Sequence, residues 1–440
     1  MTVSQDIPRL GLFPLTAAVN EKGHLTVGGC DTTALAEEFG TPLYIYDEQG
    51  LRHMCAEFRA EFGQRYADTA VLYASKAFIN RAMARLMKEE GMGLDVVSGG
   101  EMGIVHSAGF PMERVYFHGN NKSAAELEQA LDLGVGRIVV DNFHELALLT
   151  KIAGGHDRRA DILLRLSPGV DPHTHRYNTT GIVDSKFGFL MSSWDEAIAG
   201  AMAAKGLNLV GLHFHLGSLI FEVEPYREAI GIVLKFAAGM KRQHGFELRE
   251  LDIGGGYAAQ YKVDEPAPPV SAYAGVIAET LGSQCRELGL PLPQLVIEPG
   301  RSIVARSGMA LYRAGAIKDI PDVRRYVSVD GGMGDNIRYA LYGARHEAIL
   351  ANRAAAANVA EVTISGKYCE SGDVLIRDIM MPQISAGDII AVADCGAYCL
   401  PMGSNYNAAY KPAVVLVREG KARLIRRRET LDDLTRCDVV

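Results

Sequence analysis

Between residues 71 and 300, eight short apolar runs alternate with longer amphipathic segments, and this rhythm restricts the fold more than any other feature of the chain. The runs are VLYAS (from 71), LDVVS (94), RVYFHG (114), RIVVDN (137), DILLRLS (161), LVGLHFHLGS (209), LRELDIGGGY (248) and LPQLVIEPG (292). Between them, segments such as INRAMARLMKEEG, SAAELEQALDLG and YREAIGIVLKFAAGMKRQHG space apolar residues by three and four and stop at glycine, as helices do. Eight strand–helix units in succession predict an α/β architecture, a (β/α)8 barrel.

After residue 308 the texture changes. AGAIKDI, RRYVSVDGG, AEVTISGKY, VLIRDIMM, DIIAVADCGAY and AVVLVREGKARLIRRR are rich in Val and Ile and separated by turn residues, with Glu419-Gly420 as a hairpin. The barrel is therefore expected over 48–308, followed by an all-β domain. That domain, a β-sandwich or β-barrel, is assigned residues 309–440 together with 1–47, whose GHLTVGG has the same character. A length of 440 residues suits two domains. A net charge of −8 argues against a nucleic-acid or anionic-membrane surface and leaves a small molecule as the expected partner. No basic region followed by an apolar one opens the sequence, and no apolar run approaches ~18 residues. The cysteines at 30, 55, 285, 369, 395, 399 and 437 are odd in number and scattered, with Cys395 and Cys399 the only close set. Together these features predict a cytoplasmic protein.

Barrel enzymes carry their chemistry at the C-terminal ends of the strands, which singles out four places. Lys76 directly follows the first run; an ammonium there is salt-bridged, reaches solvent, or is deprotonated for chemistry. In HFHLGS, His213 and His215 are two apart on one strand face, as a metal pair, as a ring held against a flat cofactor, or as satisfied core histidines. Gly254–Tyr257 (GGGY) offers backbone amides to an anion, or simply a turn. In EPGR, Glu298 could meet a protonated ring nitrogen and Arg301 could clamp a phosphate or carboxylate, the plain alternative being an ion pair between them. A Schiff-base lysine, a stacking ring, a phosphate cradle and an acid for a pyridinium nitrogen are together what a barrel needs to hold pyridoxal phosphate. In the β domain, KYCESGD sets Cys369 beside carboxylates as a proton donor or a small buried thiol. Arg338 and Tyr342, four apart, would share one helix face as a carboxylate grip, and Tyr398 in DCGAYC could reach a phosphate oxygen or simply pack.

In order, YASKA, HFHLGS, GGGY, EPGR, CESGD and GAYC followed by SNYN resemble the diaminopimelate decarboxylases, within the alanine-racemase-like pyridoxal phosphate enzymes. The similarity runs from about residue 15 to the C-terminus and includes RLSPGVDPHTHRYNTTG and SKFG at 165–188. The resemblance implies that Lys76 bonds the cofactor, His215 stacks on its ring, and Ser218 with Gly254, Gly255 and Gly256 holds its phosphate. Glu298 would keep the pyridine nitrogen protonated, with Gly300 and Arg301 beside it, and Tyr398 would touch cofactor and substrate. Arg301, Arg338 and Tyr342 would grip the distal carboxylate of meso-diaminopimelate and Glu370 its distal ammonium. Cys369 would be the proton donor, supplied by the neighbouring subunit of a homodimer with shared active sites. Where the family often has Gln after the Gly-Ser of HFHLGS, this chain has Leu219.

Rival readings on the same scaffold are decarboxylases of ornithine, a D-amino acid or carboxynorspermidine, against which Arg338, Tyr342 and Glu370 argue. A racemase would favour arginine in place of Glu298. A non-catalytic regulatory homologue would not need Lys76, Cys369 and Glu298. A metal hydrolase built on His213 and His215 is the outsider, and no metal is assigned.

Overall fold

A computed structural model describes residues 7–155, 159–171 and 185–439. Of the stretch 165–188 that carries part of the family resemblance, 172–184 lie outside the described residues. The chain forms two compact units. One comprises Cys55–Ala258 and Ala267–Gly300; the other comprises the residues up to Met54, Ala259–Pro266 and those from Arg301 on.

Labelling Leu43–Asp47 as β1, the barrel of the first-named unit is closed by eight parallel strands: β2 (Thr69–Ala74), β3 (Gly93–Val96), β4 (Val115–Phe117), β5 (Arg137–Val140), β6 (Ala160–Ser167), β7 (Leu207–His213), β8 (Glu250–Asp252) and β9 (Gln294–Ile297), with the two-residue strand Phe189–Leu190 added beside β6. Each pairs with the next, and β9 pairs back onto β2 with Leu295 opposite Thr69 and Ile297 opposite Val71, so the barrel closes without a free edge. Its strands are almost wholly buried because helices cover the outside and side chains fill the inside. Leu72, Tyr116, Val139, Leu163, Val210 and Val296 pack as one cluster drawn from six of the strands. Below them, Glu250 accepts from Tyr116 Oη (2.9 Å) and Arg137 Nε (2.9 Å), which satisfies a carboxylate the barrel has buried.

Local sequence sets the helix boundaries. Asn80, Ser98, Ser123 and Asn142 each accept a backbone N–H from the first turn of the helix that follows, and Ser123 completes a reciprocal box with Glu126. At the other ends of Glu224–His244 and Val270–Leu288, Gly245 and Gly289 take the left-handed conformation, which lets the chain turn back toward the next strand.

In the other unit, β10 (Gly308–Ile320) is the spine of a mainly β domain. It pairs antiparallel with β1, with β11 (Arg324–Val329) and, along with the short β12 (Ala348–Leu350), with β15 (Ile389–Val392). Outward from β11 follow β13 (Ala360–Ser365) and β14 (Val374–Met381); outward from β1 follow β16 (Ala413–Arg418) and β17 (Lys421–Arg426). The last two form the Glu419-Gly420 hairpin, both turn residues having positive φ as a primed turn requires. Leu43, Ile45, Met309, Leu311, Ala391 and Val415 alternate inward from four strands into one core. Among the described residues no helix is long and apolar enough to cross a membrane.

Candidate active site

Every barrel strand brings a polar side chain to its C-terminal end. In strand order these are Lys76, Asp95, His118, Asp141, Arg165, His213, Asp252 and Glu298, and all but Lys76 are buried. A closed apolar barrel tolerates so many charges only if they compensate one another or a bound group.

Lys76 sits on the single turn Ser75–Ala77 that ends β2, its Nζ 3.3 Å from the buried Asp95 carboxylate and its side chain 37% exposed. Glu101, nearby on helix Gly99–Ser107, is pushed up to about 7 by burial and by Asp95, against the pull of Lys76. Glu298 follows β9. His118 Nε2 lies 2.7 Å from one of its carboxylate oxygens and His213 Nε2 lies 3.7 Å from the other. Burial alone would favour the neutral acid, but the two imidazoles overcome it and hold Glu298 well below the usual carboxylate range. Asp252, which shares the space, is driven the other way, well above the usual carboxylate range, by burial and by the Glu298 charge. Burial brings His213 down to about 3, leaving it neutral beside Glu298.

β7 ends at His213, so His215 lies beyond the strand, and the two histidines do different things. His213 faces the acid, whereas His215 Nδ1 accepts the Gly255 N–H at 3.1 Å and its pKa is driven well down by burial, then by Lys76 and Arg165. Gly254 has φ +70°, and a Cβ there would stand 2.7 Å from His215 Nδ1 and 2.8 Å from the Phe214 oxygen. Gly256 has φ +108°, with Tyr226 Oη 2.8 Å from where a Cβ would be. Both positions need glycine, because the backbone is left-handed there and its neighbours leave no space for a side chain. Ser218 follows, half-buried, with Leu219 beside it at φ +61°. Gly300 passes 2.9 Å from Ala74 Cβ, again measured to the Cβ it lacks.

The second unit gathers a separate group. The Arg301 guanidinium lies over the Tyr398 ring (4.6 Å) and donates from Nη1 to Tyr261 Oη (3.0 Å). Arg338 lies over the Tyr261 ring, 4.5 Å from its centroid, and opens the short helix Arg338–Tyr342 that also carries Tyr342. Tyr398 holds φ +59°, unusual for a bulky residue, and its turn thereby aims the ring at Arg301. Cys369 and Glu370 are exposed on the loop between β13 and β14. The Cys369 N–H donates to Asn407 (2.8 Å), and buried Asp373 ties the loop down by accepting the Met333 and Tyr368 N–H groups, each at 2.7 Å.

The family model described as pyridoxal-dependent decarboxylase, pyridoxal binding domain, matches residues 50–305. A diaminopimelate decarboxylase of Bacillus subtilis is 44% identical over 426 residues, 96% of this chain and 97% of its own length. This chain belongs to the diaminopimelate decarboxylase family. A Mycobacterium tuberculosis relative is 42% identical over 97% of this chain and 98% of its own. The crystal structure of the M. jannaschii diaminopimelate decarboxylase in complex with L-lysine superposes with a TM-score of 0.91 at 34% identity, covering 97% of this chain and 98% of that one.

Enzymes of this family use pyridoxal 5′-phosphate, and the barrel end fits it. The Gly254–Gly256 run stands at the end of β8 beside His215, where only glycine fits between the neighbouring side chains and backbone, and Glu298 is a buried carboxylate kept charged, the partner a ring N–H requires. Among the residues sequence motifs did not single out, Asp95, His118, Asp252 and Tyr261 stand out. Each is a lone polar residue with no motif around it; the first three could have been found by asking what ends each predicted strand.

Proposed function

We propose that this enzyme removes CO2 from the D-centre of meso-2,6-diaminopimelate and releases L-lysine, the last step of lysine biosynthesis. Pyridoxal phosphate, when bound, supplies a carbonyl for the substrate amine and a ring that accepts the electron pair CO2 leaves behind. Lys76 Nζ is the group that bonds it, and Asp95 positions that amine. Glu298, charged between His118 and His213, keeps the proton on the ring nitrogen, which maintains the ring's capacity to accept electrons. His215 supports the ring face; Ser218, the Gly254–Gly256 run and Gly300 with Arg301 serve the phosphate side; Tyr398 touches both cofactor and substrate.

Arg338 carries the choice of substrate. It is 4% exposed, and its Nε and Nη1 have no hydrogen-bond partner among the described residues. A buried guanidinium with open donors calls for an anion, and a carboxylate meets it with two parallel hydrogen bonds. Ornithine or lysine, whose single carboxylate is the one that leaves, offers nothing for this position. Arg301, Arg338 and Tyr342 therefore take the distal carboxylate, and Glu370 takes the distal ammonium.

Cys369 returns a proton to the carbon that lost CO2. Its loop is exposed in the single chain, which suits delivery of Cys369 and Glu370 to the site of a second subunit in a homodimer. An odd, scattered set of free cysteines suits the cytoplasm. The deciding experiment measures CO2 and lysine release from meso-diaminopimelate, with ornithine and lysine as comparison substrates. Strong preference for meso-diaminopimelate is expected; turnover of a comparison substrate alone would overturn the role of Arg338.

A further inference from the structure

Cys395 and Cys399 take no part in the proposed decarboxylation, yet with His346 they form a separate cluster in the second unit. All three are buried, and the two sulfurs and a ring nitrogen of His346 lie within 4.8 Å of one another. The chain leaves β15, turns at Asp394 and passes through Tyr398, whose left-handed backbone brings the second cysteine back toward the first. The Cys395 N–H is fixed to the Gly308 carbonyl at 2.8 Å, so the turn is anchored to the spine of the sheet.

Two contacts define the histidine. His346 Nδ1 lies 3.0 Å from the Ala393 carbonyl, which can only accept, so Nδ1 carries the proton. Nε2 is then the basic nitrogen, in agreement with the Asn336 amide nitrogen facing it at 3.4 Å. Burial resists charge on Cys399, but the neighbouring Cys395 and His346 and the nearby Arg338 guanidinium hold its thiol well below the ordinary range. The same guanidinium opposes a bound metal cation among these ligands.

We propose that Cys395 and Cys399 form a reversible disulfide on exposure to a hydroperoxide, with His346 as the base that activates Cys399. His346 Nε2 takes the Cys399 proton, and the thiolate attacks one peroxide oxygen. The O–O bond breaks; Cys399 becomes a sulfenic acid, and the other oxygen leaves with the proton from His346 as water or alcohol. The Cys395 thiol then attacks that sulfur, the S–S bond forms, the S–O bond breaks, and the hydroxyl departs with the Cys395 proton as water. Two thiols lose two electrons and one hydroperoxide gains them. The closed bond braces the turn that carries Tyr398.

The full-length holoenzyme is treated with hydrogen peroxide, alkylated and digested with trypsin. The segment 378–418 contains these two cysteines and no other, so its mass reports on them independently of Cys369 and of any activity. The expected result is loss of two hydrogens with no alkyl group taken up, both reversed by dithiothreitol. Cys395→Ser should instead leave a sulfenic acid on Cys399 that dimedone traps. His346→Gln, which retains a donor for the Ala393 carbonyl, should slow oxidation by about tenfold or more with an unchanged melting temperature. Both cysteines remaining alkylatable after Cys369 and Cys437 have oxidised would overturn the proposal, as would irreversible oxygen addition without the bridge, located by fragmentation on the cysteines rather than on Met380, Met381 or Met402. An unchanged rate in a folded His346→Gln variant would remove the base. Should a variant fail to fold, the wild-type mass result decides the disulfide alone.

Discussion

Replacing Gly254 with alanine tests the phosphate cradle and the placement of His215 together. The residue sits at φ +70°, where an L side chain costs about 1–2 kcal/mol. The new Cβ would lie 2.8 Å from the Phe214 oxygen and 2.7 Å from His215 Nδ1. Relaxed carbon–oxygen contacts fall near about 3.3–3.6 Å, so the neighbours must retreat by roughly half an ångström or more. Overpacking of this kind adds about 1–3 kcal/mol. The sum, about 2–5 kcal/mol, corresponds to a loss of roughly 4–20 °C in Tm for a unit of this size. The retreat also strains the bond from the Gly255 N–H to His215 (3.1 Å), so the cofactor should bind at least about tenfold more weakly. Gly206→Ala is the matched control, with φ +81° and a Cβ 2.9 Å from the Ala153 backbone, but placed just before β7 at the opposite end of that strand. It should lower Tm comparably and leave cofactor affinity unchanged. Calorimetry and titration of apoprotein with pyridoxal phosphate read both quantities. If Gly254→Ala binds cofactor as tightly as the wild type, or if Gly206→Ala loses it equally, the cradle argument fails.

Lys76→Ala should abolish the long-wavelength absorbance of the bound cofactor along with turnover; a variant that keeps both would remove Lys76 from its role. Cys369→Ala should retain the cofactor spectrum but lose about 10²–10⁴-fold in product formation. Mixing Lys76→Ala with Cys369→Ala subunits should restore about a quarter of wild-type activity if each site draws on both subunits of a randomly exchanging dimer, and no recovery would argue that each chain supplies its own cysteine. Arg338→Met should raise KM for meso-diaminopimelate by about tenfold or more while leaving cofactor affinity intact, since a charged hydrogen bond is worth about 1.5–3 kcal/mol. Asp335, buried between Tyr44 and Tyr312, has its pKa raised by burial from 3.8 to about 7. The folded state then binds more protons than the unfolded one between these values, so this residue's contribution is present below pH 3.8 and is lost as pH rises through about 7. Urea melts of Asp335→Asn should show a shallower decline over that window than the wild type, and an identical slope would place the titration elsewhere.

The alternation of apolar runs was enough to predict the barrel because strands buried on both faces and covering helices are local patterns, readable within about ten to twenty residues. Lys76, the Gly254–Gly256 run and Glu298 were legible as candidates for a related reason, each lying directly after a predicted strand. Arg338 and Tyr342 fall on one short helix, as their spacing suggested. The HFH pair was only half legible: the strand ends at His213, so alternation along it could not foretell that His215 turns to the glycine backbone.

Tyr261 could not be found this way, and although His118 and Asp252 stand in predicted runs, their roles could not be read there. His118 matters because Glu298, far along the chain, comes within 2.7 Å of it, and that approach exists only once β9 closes against β2. The charge balance follows the same rule: burial and neighbours push Glu298 down and Asp252 up, separating two acids whose pKa values would otherwise be similar. Sequence alone determined which stretches form strands and which chemical groups lie near their ends, since these depend on short-range patterning. Which group faces which, and which keeps its proton, was decided by the closed barrel and the long spine of the β domain, because distance and desolvation between remote residues are properties of the folded chain only.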